Sequence, residues 1–156
     1  MYNLNMNEFD SKYSELLKIF SKGKSMVLST SLNNKVSSRT MSVICIDGKF
    51  YFQTDKNFRK YNDLINNPNV ALCIDNIQIE GKAKCIGKPL DNQLFCDEFE
   101  KNFKGSFNVY SSLKDEVLFE VEPLFIERWL YIDDTPYIEI FNTIIKKYEL
   151  KKYVGE

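Results

Sequence analysis

The chain contains no histidine, and that absence removes more chemistry than any single residue supplies. Without imidazole there is no Ser-His-Asp or Cys-His catalysis, no HExxH zinc site and no histidine-ligated haem. The four cysteines, Cys45, Cys73, Cys85 and Cys96, stand singly with no CxxC pair, which speaks against a zinc knuckle or a thioredoxin-type redox motif. Most of them read as buried apolar side chains. No stretch approaches the roughly 20 apolar residues of a membrane span, and MYNLNMNEFD lacks the basic start and apolar run of a signal peptide. The expected setting is a reducing cytoplasm, with no membrane partner. An excess of positive charge is missing too. With 21 basic and 22 acidic side chains the net charge is -1 and the pI near 5.7, so any basic site must be local.

What is present suits one globular domain covering residues 1–156. The chain is 44% hydrophobic, and a chain of this length buries roughly 68–70% of its unfolded surface, so no disulfide or metal is needed to hold it. Phe9, Tyr13, Leu16, Leu17 and Phe20 recur at helical spacing between Asn7 and Lys22, predicting an N-terminal helix within residues 1–23 with Gly23 as a left-handed C-cap. The period then changes to two. Met26 to Ser31 reads as a strand, Asn33-Asn34 as a tight turn, and Val36 to Ile46 and Lys49 to Thr54 as two strands about the hairpin signal Asp47-Gly48.

A second helix is predicted over Lys56 to Ile65, its apolar side carrying Phe58, Tyr61, Leu64 and Ile65, and the NNPN segment stops it. Val70 to Asp75 and Ile77 to Ile86 read as strands, Asp91 to Phe103 as a helix, and Glu116 to Val121 and Leu124 to Ile132 as two further strands. Tyr137 to Phe141 is a candidate returning strand, and the basic tail over 146–156 reads as frayed. The sum is an α+β fold: a mostly antiparallel, six- to seven-stranded split β-barrel with about three flanking helices.

Two local patterns carry chemistry. Thr54 and Asp55 precede Lys56, Arg59 and Lys60, three cations at i, i+3 and i+4 that share a helix face. Cations in a first helical turn oppose the helix dipole, and a bound anion resolves the conflict. A phosphate there would receive backbone N–H groups, a guanidinium, an ammonium and the Thr54 hydroxyl. The plain alternative is a solvated basic face with Asp55 as N-cap. The second pattern is SSRTMSV, where alternation puts Arg39, Met41 and Val43 on one strand face and Ser38, Thr40 and Ser42 on the other, a small polar face able to admit a flat ligand.

From SMVLSTSLNNKVSSRTMSVICIDGKFYFQTDKNFRKYNDLINNPNVALCI through IEGKAKCIG, with a fainter echo at FIERW, the chain resembles the FMN-binding split-barrel proteins related to pyridoxamine 5'-phosphate oxidase. The likeness lies in the order of the pieces: strand with Arg39, DG hairpin, strand ending in Gln53-Thr54, basic helix, NPNV, then a Gly-bearing strand. The resemblance implies that Arg39, Thr54, Arg59 and Lys60 hold the FMN phosphate, and that Thr40, Met41, Ser42 and Gln53 edge the isoalloxazine and ribityl chain. It sets Trp129 beside the cofactor and implies a homodimer with two flavins at its interface. The chain also departs from the oxidase proper. Ile44 replaces a basic residue, and Tyr137, Ile138 and Glu139 stand where the substrate phosphate is gripped by Arg and His, which argues against pyridoxamine phosphate as substrate.

The implied function is an FMN flavoprotein, an NAD(P)H-dependent oxidoreductase passing electrons to a small acceptor such as a quinone, nitroaromatic or flavin. The alternative is a non-catalytic flavin-binding or sensor protein of the same fold. No general acid or base is assigned. A single-stranded nucleic-acid binder, with Tyr51, Phe52 and Phe58 as stacking platforms, fits less well with the near-neutral charge.

Overall fold

A computed structural model describes residues 7–155. Helix α1, Glu8–Leu17, opens with the Asn7 side chain accepting from the Asp10 N–H at 2.8 Å, and its acidic first turn complements the dipole. A 3-10 turn over Lys18–Phe20 ends it. Gly23 is not a left-handed cap, since the residues with positive φ lie elsewhere. It is glycine because a Cβ would stand 2.5 Å from the Phe103 ring.

Strands β1 (Lys24–Leu32), β2 (Lys35–Ile46) and β3 (Lys49–Asp55) follow. The two hairpins form as the turn residues dictate, with φ of 51° and 62° at Asn33-Asn34 and 50° and 77° at Asp47-Gly48. Next come α2 (Arg59–Asn66), β4 (Asn69–Ile74), β5 (Ile77–Gly87), α3 (Gln93–Asn102), α4 (Lys104–Tyr110), β6 (Glu116–Ile132), β7 (Thr135–Asn142) and β8 (Lys147–Lys152).

All strand pairs are antiparallel, in the order β3-β2-β1-β4-β5-β6-β7-β8. Pairing of β3 with β6 closes the first six strands into a barrel. The fold is thus the expected α+β split barrel. Its core is aromatic and aliphatic, with Phe50, Phe52, Phe119, Leu28, Leu72 and Ile79 fully enclosed.

Beyond Gly23, four details differ from the expectation. The two late strands are one, β6, because Pro123 falls where the ladder to β5 is already irregular, opposite Gly81, so its missing N–H interrupts nothing. The tail is not frayed: Lys147–Lys152 pairs with β7 as β8. A fourth helix, α4, follows α3 beyond the three expected. Of the cysteines only Cys96 is buried; Cys45 and Cys85 are half-buried and Cys73 is exposed. Among the described residues no helix is long and apolar enough to cross a membrane.

Candidate functional site

The barrel splits where β2 leaves β3. The two strands pair only over Ile44↔Tyr51, Cys45↔Phe50 and Ile46↔Lys49. Beyond that, β3 continues along β6 while β2 continues along β1. The β2 edge at Thr40, Met41 and Ser42 and the β3 residues Gln53, Thr54 and Asp55 therefore line a cleft of about 310 Å³, completed by Phe58 and Lys60 around the start of α2, Glu116 of β6, and Phe99, Ser106, Tyr110 and Leu113 from the α3–α4 region. That volume lies at the small end of ligand sites. Six residues proposed from the sequence, Thr40, Met41, Ser42, Gln53, Thr54 and Lys60, thus meet in one cavity.

Helix α2 starts later than the sequence suggested. Phe58 is its N-cap and supplies no side-chain bond. The Asp55 carboxylate does not cap the helix; it accepts from the Asn57 backbone N–H at 2.7 Å and from the Asn57 side-chain amide at 2.8 Å. Lys56 consequently precedes the helix, and Arg59 and Lys60 form its first turn with no acidic residue to offset the dipole. The anticipated apolar side is also mis-set, for Phe58 and Ile65 are more than half exposed while Asp63 and Leu64 are buried.

Arg39 and Arg59 do not line the cleft. Arg39 lies behind it: Nη1 donates to Thr30 Oγ1 at 2.8 Å and to the Leu28 carbonyl at 3.3 Å, and Nη2 to Ser37 Oγ at 2.7 Å. It is near enough to Arg59 and Lys60 for their charges to repel. Lys60 is held below the ordinary lysine range, first by burial and then by Arg39, with Glu116 and Asp55 opposing. Its ammonium stands 4.5 Å over the Phe58 ring.

Two features of the cleft were invisible in the sequence. Thr54 Oγ1 is buried without a hydrogen-bond partner, an unmet polar atom of a kind native interiors seldom keep without purpose. Glu116, 5% exposed and directly opposite Asp55 across the β3–β6 ladder, has its carboxyl pushed up to about 7, chiefly by burial and then by Asp55, against the pull of Lys60. Gln53 is oriented by Ser111, whose hydroxyl donates to Gln53 Oε1 at 2.7 Å.

Trp129 lies elsewhere in the chain. It sits in β6 opposite Ile138 of β7 and packs edge-on against Tyr131 and Tyr153, with ring centroids 6.0 and 5.2 Å away. Phe52 is enclosed and stacked on Phe119 at 5.5 Å, so it offers no face to a base. Among the described residues no cluster of three potential metal ligands occurs.

The family model described as pyridoxamine 5'-phosphate oxidase matches residues 13–130. Comparison with curated proteins finds no match. General Stress Protein 26 from Bacillus anthracis is 24% identical, with 74% of this chain and 91% of that one covered at a TM-score of 0.58. ChuZ from Campylobacter jejuni shares 16% identity over 96% of this chain and 64% of its own, at 0.70. A pyridoxamine 5'-phosphate oxidase-related, FMN binding protein from Nostoc punctiforme shares 11% over 97% and 99%, at 0.59. At these identities the structures testify to a common fold.

Proposed function

The chain belongs to the pyridoxamine 5'-phosphate oxidase family, and from that premise we propose that the cleft binds FMN and that the protein is a cytoplasmic, homodimeric oxidoreductase passing electrons from NAD(P)H to a small acceptor. The observation that carries this reading is the orphaned hydroxyl of Thr54, a residue that lines the same cavity as Lys60. A phosphate oxygen would satisfy it, and would also complement the uncapped first turn of α2. The fit is not purely cationic, since Asp55 and Glu116 share the cleft. Asp55, bonded to Asn57, still offsets part of the Lys60 charge, and so does Glu116 while ionised; with the Glu116 carboxyl pushed up to about 7, its protonation below that pH frees the basic side for a phosphate.

Bound FMN would supply hydride acceptance and donation. The chain's residues do the rest. Thr54 and Lys60 would anchor the phosphate from the lining, with Arg59 and Arg39, outside it, adding charge. The polar edge of β2 at Thr40 and Ser42, together with the amide of Gln53, would orient the polar rim of the ring system. Phe99 and Tyr110 would keep water from its apolar part. Phe58, Tyr110 and Leu113 are large, partly exposed apolar groups of the lining, which suits stacking of a planar donor or acceptor and favours the enzyme over a passive store.

The purified protein is expected to be yellow and to bind FMN. Arg59→Ala with Lys60→Ala should weaken that binding by about 2–4 kcal/mol, the scale of one charge-assisted hydrogen bond from Lys60 together with the nearby charge of Arg59, while the far-UV spectrum stays unchanged. Colourless protein that ignores FMN, or an unchanged affinity in the double variant, contradicts the reading. Bound flavin that neither NADH nor NADPH reduces would leave the flavin-binding or sensor alternative.

A further inference from the structure

Behind the cleft runs a polar relay that the lining does not include. Asp63, on α2, is 5% exposed. Its Oδ2 accepts from Thr30 Oγ1 at 2.8 Å and from Ser37 Oγ at 3.4 Å. Those two hydroxyls are the ones to which Arg39 donates. A buried carboxylate and a guanidinium on different elements are thus joined through a layer of hydroxyls on β1 and β2.

The arrangement has two consequences. A guanidinium has five N–H groups, and three are spent on Leu28, Thr30 and Ser37, so Arg39 is locked in place with two left for another partner. Asp63 also lies four residues after Arg59 and three after Lys60, on the same face of α2. Any turn of the helix that displaced those cations would pull Asp63 off both hydroxyls and strand a buried charge. An apolar residue at this position would hold α2 to the barrel with no desolvation cost. What the carboxylate adds is polar registry between α2 and β2, whose other charged side chains are all cations.

Resting on the reading of the cleft as an FMN site, we propose that Asp63 is a positioning residue: through Thr30 and Ser37 it fixes Arg39 relative to α2 and thereby sets the spacing of Arg39, Arg59 and Lys60 about the cofactor phosphate. It touches no ligand itself.

The test titrates FMN and riboflavin, which lacks the phosphate, into wild-type protein, Asp63→Asn, Thr30→Val and the Arg59→Ala/Lys60→Ala pair. Thr30→Val removes the shorter of the relay's two arms, leaving only the 3.4 Å contact from Ser37, while keeping the side chain's shape and the buried carboxylate, so the test remains decisive should Asp63→Asn lose the fold. The expected result is an FMN Kd about tenfold higher in each relay variant, the effect of about one hydrogen bond, with riboflavin affinity within about twofold of wild type. Equal losses for FMN and riboflavin would show a general structural role and overturn the proposal. Wild-type FMN affinity in both relay variants, alongside a large loss in the Arg59/Lys60 pair, would overturn it while sparing the cleft assignment. No loss in that pair would overturn the cleft assignment itself and the proposal with it.

Discussion

Glu116 shows how one side chain can couple the cleft to pH. In the folded chain burial and the facing Asp55 raise its carboxyl from about 4.5 to about 7, so between those values the folded state holds a proton that the unfolded state has released. By linkage, stability then falls as pH rises through that window, and the loss is complete above it. Glu116→Gln keeps the shape and removes the charge. Wild type should therefore lose melting temperature between about pH 5 and pH 8 relative to the variant, with the variant the more stable at pH 8. Parallel curves would place the titration elsewhere. A phosphate adds negative charge beside the same carboxyl, so FMN affinity should decline across this range in wild type and decline less in the variant.

The elements that shape the cleft depend on close approaches as much as on pattern. Strand β5 passes β6 at Gly81, opposite Pro123, where a Cβ would come within 2.6 Å of the Glu122 carbonyl oxygen and 2.8 Å of Val121. The first of these is backbone and cannot swing aside. Gly81→Ala should destabilise the barrel by about 1–3 kcal/mol, read as a lower urea midpoint at unchanged slope; an unchanged midpoint would mean that β6 gives way freely. Helix α4 is held differently. Ser111, at its C-cap, is buried and bonded to Gln53. Ser111→Ala leaves Gln53 short of a partner, and should cost about 1–3 kcal/mol and speed amide exchange in α4 first. Uniform exchange throughout the chain would deny α4 this clasp.

At the scale of the whole molecule, what was legible in the sequence is what is decided locally. Asn33-Asn34 and Asp47-Gly48 set two hairpins by backbone conformation alone, while of the three cations read beside Thr54 only Lys60 lines the cleft. The remainder depends on distant partners. Asp63 looks like a solvated helix residue until Thr30 and Ser37 meet it, Glu116 is unremarkable until β3 places Asp55 opposite, and KYELKK reads as a tail until β7 pairs with it. Trp129 poses the same problem one level up. It lies thirteen residues beyond Glu116 in β6, roughly 40 Å along an extended strand, so a flavin in the cleft could meet it most readily through a second copy of the chain. On one face of the β6–β7–β8 extension Phe141 and Tyr148 pack with Phe9 and Tyr13 of α1, while Trp129 clusters with Tyr131 and Tyr153. Tyr131 and Tyr153 are at least half exposed, a surface suited to burial between subunits. Sedimentation should accordingly give twice the chain mass of 18.3 kDa, and one FMN per chain should extinguish most tryptophan emission, a signal with a single source because the chain has one tryptophan. Trp129→Ser should weaken both association and FMN binding. A monomer that binds FMN fully with its tryptophan emission intact would separate Trp129 from the site.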